Sequence, residues 1–178
     1  MTAPSQAATE VAPAPPADIV EFFNRQKRSA FHFALQMTGN REDALDLMQE
    51  GFLRLHREWH KRDRTRDPAP WLFAVIRNLA IDLLRRRSAH GECELDPLSA
   101  ASANPGPDDM AIRNEVAARL WREIAALPLL QREAVILRDW HGLSYAEIAE
   151  VTGASTVVVT ARLHDARTAL RKRMGKYL

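Results

Sequence analysis

The residues best suited to binding chemistry lie on one face of a helix that the sequence predicts from Trp71 to Arg87. At about 100° per residue, one arc of that helix carries an aromatic ring, an amide, a carboxylate and two guanidiniums. The members of this arc are Trp71, Val75, Asn78, Asp82, Arg85 and Arg86. Such a surface can stack on a base, hydrogen-bond to its edge and attract phosphate, as a site for unpaired nucleic acid requires. Composition alone favours a plainer interpretation, a solvated helix face with Trp71 packed into the core.

A different arc of the same helix is apolar and is expected to face a core. Its members are Leu72, Phe73, Ile76, Leu79, Ala80, Leu83 and Leu84. Two helices are predicted before it, because apolar residues recur at helical spacing in each segment. The expected core residues of the first helix are Ile19, Phe22, Phe23, Ala30, Phe33, Ala34 and Met37, and those of the second are Ala44, Leu47, Met48, Phe52 and Leu55. Gly39 can end the first helix and Asn40 can cap the second.

A second pattern, near the C-terminus, predicts a helix-turn-helix. Ser144 and Glu147 have the spacing of a capping box, in which each side chain satisfies a free amide of the other residue. Gly153 suits the left-handed conformation of a sharp turn, and Ser155 or Thr156 can cap the helix that follows. The second helix of such a unit usually enters the major groove of DNA.

This second helix has an inward arc and an outward arc. The inward arc holds Val159, Leu163, Ala166, Leu170 and Met174, and the outward arc holds Val157, Thr160, Ala161, His164, Thr168 and Arg171. Val157 and Ala161 can touch thymine methyl groups, and Thr160 or His164 can hydrogen-bond to a base edge. The expected core residues on which this unit packs are Val116, Leu120, Ile124 and Leu127 before Pro128, and Leu130, Ala134 and Leu137 after it.

The distribution of charge divides the chain into blocks. Residues 18–87 and 113–178 each carry a net charge of +4, whereas residues 88–112 carry −5. The acidic block is rich in Ala, Ser, Pro and Asp, a composition typical of a linker. Residues 1–17, rich in Ala and Pro, are expected to form a disordered tail without the features of a secretory signal. The sequence therefore predicts two small all-α domains that present basic surfaces to a polyanion.

Other chemistry is weakly represented. No apolar run is long enough to suggest a membrane span, and the single cysteine, Cys93, suits a reducing cytoplasm. His56 and His60 lack the order of a zinc-protease motif, and no further cluster of histidine or cysteine supplies ligands, so we predict neither a metal site nor a cofactor. There is no glycine-rich phosphate loop and no nucleophile motif, so we predict no catalytic residues and regard an enzyme as a distant alternative.

Several segments, taken together, resemble a bacterial RNA polymerase sigma factor. These segments read DALDLMQEGFLRLHREW, PWLFAVIRNLAIDLLRRR, LPLLQREAVILRDWHGLSYAEIAEVTG and ARLHDAR. More narrowly, the chain is similar to the small extracytoplasmic-function (ECF) group of the sigma-70 family, which keeps only the second and fourth conserved regions. The resemblance covers residues 18–87 as region 2 and 113–178 as region 4, with 88–112 as the linker. It implies a non-catalytic protein that binds core RNA polymerase, through the β and β′ subunits, and directs it to promoter DNA.

The resemblance also implies roles for residues in the first domain. The segment that docks on the polymerase in the family corresponds here to Asp46, Leu47, Gln49 and Glu50. Phe52 lies in the same segment, but its position on the helix favours the domain's own core. The segment that recognises and melts the −10 element corresponds to the loop with Arg62, Arg64 and Arg66 and to the face with Trp71, Asn78, Asp82, Arg85 and Arg86. Core packing and base contact remain equal alternatives for Trp71.

In the second domain the resemblance implies contact with the −35 element. The corresponding residues are Ser155, Thr156, Val157, Thr160, Ala161, Arg162, His164, Arg167 and Arg171. The family commonly has a lysine at the position of Thr160 and often a basic residue at the position of Asp165, so this chain lacks a phosphate contact. We therefore expect −35 binding that is weak, atypical or made through a partner protein.

One near alternative to a sigma factor is left open by the sequence. A stand-alone helix-turn-helix regulator would bind operators without polymerase, and co-elution with core polymerase distinguishes it from a sigma factor. Relatives of the ECF group are often held by anti-sigma proteins, so the resemblance also implies a regulatory protein partner. The promoter, the inducing signal and the identity of that partner cannot be inferred from the residues.

Overall fold

The computed structural model describes residues 17–63, 65–90 and 110–175, and all regular elements in these ranges are helical. The first three helices form an N-terminal group: α1 (Ala17–Thr38), α2 (Arg41–Glu58) and α3 (Ala69–Ala89). The C-terminal group contains α4 (Met110–Ala125), α5 (Leu129–Val135), a π-helical turn (Ile136–Trp140), α6 (Tyr145–Thr152) and α7 (Thr156–Met174). The predicted all-α fold is confirmed for these ranges. The tail before residue 17 and most of the expected linker lie outside them.

Local signals in the sequence place the helix ends correctly. Gly39 follows α1 with a positive φ of 67°, and the Asn40 side chain accepts hydrogen bonds from the amides of Glu42 and Asp43. At the other end of the chain, Ser144 and Glu147 form both hydrogen bonds of the predicted capping box. These bonds lower the pKa of the Glu147 carboxyl group, because the charged form accepts them.

The helix-turn-helix has the expected geometry. Gly153 ends α6 in the left-handed conformation, at a φ of 66°, and Ser155 caps α7 by accepting a hydrogen bond from the amide of Val158. Most of the predicted inward arc of α7 is buried: Val159, Leu163, Ala166 and Met174. Leu170 is only partly buried against the same core.

Two residues of the predicted core are exposed, and some buried residues of the described ranges lie outside the predicted arcs. Phe23 is partly exposed, because it lies at the edge of a surface groove between α1 and α2. Leu130 is 44% exposed, because it lies in the first turn of α5, before the segment that is buried on all sides, residues 132–137. Ile81 is buried, although the predicted apolar arc of α3 omits it.

The two groups of helices do not stand apart. Helix α3 packs along α6, and α1 contacts the π-helical turn, so one continuous apolar core contains residues of both groups. The sequence predicts separate modules, each with a marginal core. The structure instead shows that each group covers part of the other's apolar surface.

Candidate nucleic-acid interface

A cavity of about 300 Å³ lies between the basic loop, the start of α3 and the C-terminal group. Its lining residues are Leu55, Glu58, Lys61, Arg62, Asp63, Arg66, Asp67, Pro68, Trp71 and Glu150. The indole of Trp71 is 38% exposed, so it is not packed into the core and its surface is available to a ligand. The structure thus brings the predicted loop and the predicted aromatic residue together around one cavity.

The loop is held in shape by its own side chains. The Thr65 amide and hydroxyl both donate to Asp63 Oδ1, at 2.9 and 2.7 Å, and these bonds lower the pKa of the Asp63 carboxyl group. The Arg62 guanidinium lies over the Trp59 ring, 4.0 Å from its centroid, and donates to the carbonyl of Arg66 at 3.3 Å. Arg62 is therefore a structural part of the loop, while Arg66 is exposed toward solvent. Arg64 lies outside the described residues.

The predicted binding face continues along α3 from Trp71. Asn78, Asp82, Arg85 and Arg86 are all exposed, but none of them lines the cavity. The Asn78 side-chain oxygen accepts a hydrogen bond from Arg77 at 3.2 Å, and Arg86 Nε donates to the carbonyl of Asp82 at 3.2 Å. The face is therefore a solvent-exposed strip with a cavity at one end, as a surface for an unpaired strand requires.

The exposed start of α7 is apolar. Val157 is 76% exposed, and Thr156, Thr160, Ala161 and His164 are exposed beside it. The Thr160 hydroxyl donates to the carbonyl of Thr156 at 2.8 Å, so its proton is already committed within the helix. A recognition helix with this surface offers methyl groups to thymine and few charged donors to phosphate.

Two arginines predicted to contact DNA from α7 are paired with carboxylates of the protein itself, Arg162 with a buried one and Arg167 with an exposed one. Arg162 lies 3.6 Å from the Glu133 carboxylate, which is fully buried, and its own side chain is only 20% exposed. Arg167 donates to Asp139 at 2.6 Å, and this bond raises the pKa of the guanidinium. The interpretation of Arg162 as a groove contact is therefore corrected, because its charge neutralises a buried carboxylate. Arg171 remains exposed near the end of the helix.

Sequence reasoning missed the partner of that buried carboxylate in the other group. Arg77 of α3 donates to Glu133 twice, from Nε at 2.7 Å and from Nη2 at 3.0 Å. Ile81, one turn further along α3, is buried on the same side of the helix. An arginine spaced four residues before an apolar residue in a long helix was the only available signal, and it does not identify a partner.

The α2 segment presents a mixed polar and apolar surface. Asp46 and Gln49 are exposed, and Glu50 pairs with Arg54 at 2.7 Å, a bond that lowers the pKa of the Glu50 carboxyl group. Leu47 is buried in the core, so we remove it from the expected surface contacts.

Beside these polar residues, an apolar groove runs between α1 and α2. Its lining residues are Ile19, Val20, Phe23, Gln49, Phe52, Leu53 and His56. Leu53 is 52% exposed there, although leucine usually avoids water. Phe52 has the core position that its helical spacing predicts, and only its edge reaches the groove.

Neither a metal cluster nor a membrane helix is present in the described residues. No group of three or more His, Cys, Asp or Glu side chains there is arranged to hold a metal ion. Within the same ranges, none of the helices has the length and apolar character needed to span a bilayer.

Comparison with known proteins identifies the family. Residues 22–90 match the family model described as Sigma-70 region 2, and residues 117–170 match the model described as Sigma-70, region 4. SigL of Mycobacterium tuberculosis, an ECF RNA polymerase sigma factor, is 35% identical over 147 residues, covering 79% of this chain and 80% of its own. The chain belongs to the ECF group of the sigma-70 family.

Two further similarities extend over most of this ECF chain. SigE of Mycolicibacterium smegmatis is 30% identical over 162 residues, covering 88% of this chain and 62% of its own length, so the chain spans less than two thirds of that relative. The sigma factor RpoE of Bartonella quintana, solved in complex with the anti-sigma factor NepR, superposes with a TM-score of 0.72 at 18% identity. That match covers 92% of this chain and all of the other chain, so the likeness in fold includes both helical groups.

Proposed function

We propose that this chain is an alternative sigma factor that binds core RNA polymerase and directs it to specific promoters. The observation that carries the proposal is the occurrence of a region 2 and a region 4 in the order of the family, with the loop and Trp71 forming a cavity in the first of them. A stand-alone operator-binding regulator is not favoured, because the region 2 match has no role in such a protein.

In this proposal, residues 18–87 act as the region 2 domain and 113–178 as the region 4 domain, with 88–112 as the connecting linker. The apolar groove between α1 and α2, with Asp46, Gln49 and Glu50 beside it, takes the polymerase. Partly exposed Leu53 supplies buried area at such an interface, while the neighbouring polar residues supply its rim. The cavity at Trp71 and the exposed face of α3 bind the unpaired −10 strand. Stacking of a base on the indole contributes binding energy that depends little on which base it is.

The region 4 domain contacts the −35 duplex through the exposed start of α7. Because Arg162 and Arg167 are engaged with carboxylates, this contact relies on Val157, Thr160, Ala161 and His164 and on exposed Arg171. Fewer free cations lower the affinity for DNA and weaken its dependence on salt. The proposed −35 contact is therefore weak without polymerase.

We further propose a cytoplasmic protein without catalytic chemistry of its own, regulated by a protein partner. The solved complex of RpoE with NepR supports an anti-sigma factor as the class of that partner. The proposal is tested by run-off transcription with core polymerase on genomic fragments, with and without the chain. Start sites that are no more selective in its presence would contradict it, and co-elution with core polymerase is the parallel binding test.

A further inference from the structure

The outermost ridge of α7 begins with methyl groups. Val157 and Ala161 lie one turn apart on the solvent side of the helix, opposite the buried Val159 and Leu163. Val157 is 76% exposed, although valine is usually a buried residue. The ridge continues through His164, which is exposed as well. Whatever covers the first two positions of this ridge must therefore present apolar groups to them.

The polar side chains around these methyl groups are already engaged. The Thr160 hydroxyl donates to a main-chain carbonyl one turn earlier, at 2.8 Å, and Ser155 Oγ accepts the capping hydrogen bond from an amide of α7, at 3.3 Å. Arg162 and Arg167 are paired with carboxylates of their own group of helices. A base edge is read either through hydrogen bonds or through apolar contact. In the first two turns of α7, apolar contact is the readout that the side chains leave open.

Cations lie at the other end of the same helix. Arg171 and Lys172 are exposed in its last turn, where they can contact phosphates without regard to sequence. The N-terminal residues of a recognition helix are the ones that reach base edges. This division of charged and apolar side chains along α7 fits duplex DNA better than an apolar protein surface, because the exposed cations complement a polyanion.

The apolar group that a thymine presents in the major groove is its C5-methyl group. A methyl group at C5 of cytosine occupies the same position on the pyrimidine ring and projects into the same groove. The two bases differ in the exocyclic group at C4, which a side chain touching only the methyl group does not contact. Side chains such as Val157 and Ala161 therefore distinguish methylated from unmethylated pyrimidines, but they do not distinguish thymine from 5-methylcytosine.

We propose, on the basis of the function proposed above, that the −35 contact of this chain recognises pyrimidine C5-methyl groups. Thymine and 5-methylcytosine are accepted alike at the base pairs that face Val157 and Ala161. Unmethylated cytosine at these pairs gives a weak site, and methylation of that cytosine strengthens the site. The choice of promoters is therefore sensitive to cytosine methylation of the DNA.

The test uses genomic fragments in three forms that differ only in C5-methyl groups. One barcoded library contains thymine and cytosine, a second has uracil in place of thymine, and a third has 5-methylcytosine in place of cytosine. Core polymerase with the full chain is mixed with equal amounts of all three, and the complexes that survive a heparin challenge are sequenced. Fragments with thymine should be retained about fourfold better than their uracil counterparts for each buried methyl group. The third library should add sites that are not retained in unmethylated form.

Val157→Ala removes two methyl groups from the ridge, so the preference for thymine over uracil should fall by about fourfold or more. Val158→Ala is the matched control, because it makes the same change at a neighbouring position that is 42% exposed but lies about 100° away around the helix. It should leave the preference unchanged. Alanine is the better helix former, so neither substitution is expected to unfold α7. Both variants keep the first domain intact, so any thymine methyl groups read by that domain contribute equally to the two.

Three results would overturn the proposed methyl readout while leaving the proposed function intact. They are equal retention of thymine and uracil fragments by the parent chain, a preference that changes no more in Val157→Ala than in Val158→Ala, and the absence of added sites in the 5-methylcytosine library. Stable complexes with none of the libraries would instead contradict the proposed function itself, and the methyl readout with it. The two failures are therefore distinguishable in one experiment.

Discussion

Gly51 of α2 lies directly against Ile76 of α3. A Cβ atom at position 51 would come within 2.8 Å of Ile76 Cγ1 and within 3.3 Å of Leu72 Cδ1. Glycine inside a helix costs about 1 kcal/mol relative to alanine, so the sequence alone gives no reason for it. The close approach of the two helices gives the reason, because no side chain fits between them.

Gly51→Ala is therefore expected to destabilise the fold by about 1–3 kcal/mol, despite the better helix propensity of alanine. The free energy of unfolding in urea measures this cost. Ala117→Gly, at an exposed position of α4, is the control: it measures the difference in helix propensity between alanine and glycine without a packing change. The substitution runs in the reverse direction, so its effect is subtracted with the opposite sign. In an Ile76→Ala background the cost of Gly51→Ala should shrink, because the clashing atom is gone. An equal or larger cost there would contradict the packing explanation.

Leu53→Asp should weaken binding to core polymerase by at least tenfold. The substitution places a charge in the apolar groove that we propose as the docking surface, and an unpaired charge in an interface is costly. Affinity for core polymerase is measured with the fluorescently labelled chain. Leu130→Asp, at the other partly exposed leucine described above, is the matched control and should bind normally. Similar losses for both variants would argue against the groove.

Trp71→Ala should reduce binding of a −10 single strand by the polymerase complex, by about 1–3 kcal/mol of lost stacking. Trp71→Phe keeps an aromatic surface and should lose less. Binding is measured by fluorescence anisotropy of a labelled oligonucleotide. Arg122→Ala, at an exposed residue that does not line the cavity, is the control and should bind the strand normally. Normal binding by the alanine variant would remove Trp71 from the proposed site.

Thr160→Lys should strengthen binding of the full chain to its −35 duplex. The lysine adds a cation at the exposed start of α7, so the slope of log affinity against log salt should steepen by about one unit. Ala126→Lys adds the same charge at an exposed site between α4 and α5 and should leave the slope nearly unchanged. Tight, sequence-specific binding by the parent chain at physiological salt would contradict the proposed weak contact.

Acid should weaken the contact between the two helical groups through His141, whose ring hydrogen-bonds to Ser29 Oγ at 3.1 Å and Gln36 Oε1 at 2.9 Å on α1. Burial, with a smaller contribution from His32, lowers the pKa of His141 to about 4. When the groups separate, that pKa returns toward its ordinary value near 6.5. The neutral ring therefore stabilises the contact between the groups fully above about pH 6.5, and this contribution is lost as the pH falls toward 4.

The groups that face His141 are Ser29, His32, Phe33 and Gln36 from α1 and Phe73 from α3. The pKa of His32 is lowered as well, by burial and by Arg28 of the same helix, so His32 is the control for the assignment to His141. With spin labels at the exposed sites Asn24→Cys and Ala146→Cys in a Cys93→Ser background, the distance between the labels should therefore lengthen between pH 7.5 and 5.5. His141→Asn should flatten this response more than His32→Gln. Undiminished pH dependence in His141→Asn would contradict this assignment.

Much of the fold follows from local sequence. The caps at Asn40, Ser144 and Ser155 and the left-handed Gly153 depend on residues within one turn, so their patterns determine their structures. The buried arc of α7 follows from periodicity for the same reason. The exposed face of α3 was also predicted, although the binding role of that face stays a prediction.

The contacts between distant residues could not be predicted from these patterns. Periodicity separates the apolar arc of a helix from its polar arc. It does not show that a residue outside both arcs, such as Ile81, is covered by another helix, and it does not identify the carboxylate that pairs with Arg77. Glu133 lies 56 positions away in the sequence, and only the docked helices bring the two together. The inward orientation of Arg162 was missed because its DNA-binding role was taken from the resemblance to the family, whereas the helical wheel placed it on neither the inward nor the outward arc.

The shared carboxylate of Glu133 has a consequence for the energetics of separation. If Arg77 were its only counter-ion, pulling the groups apart would strand a buried negative charge, which is strongly unfavourable. Arg162 belongs to the same group of helices as Glu133 and can move with it, so the carboxylate keeps a cation after Arg77 departs. When α3 separates, Glu133 therefore loses its hydrogen bonds to Arg77 but keeps its ion pair with Arg162. This retained ion pair lowers the free-energy cost of separating the two groups, so that the binding of a partner can supply it.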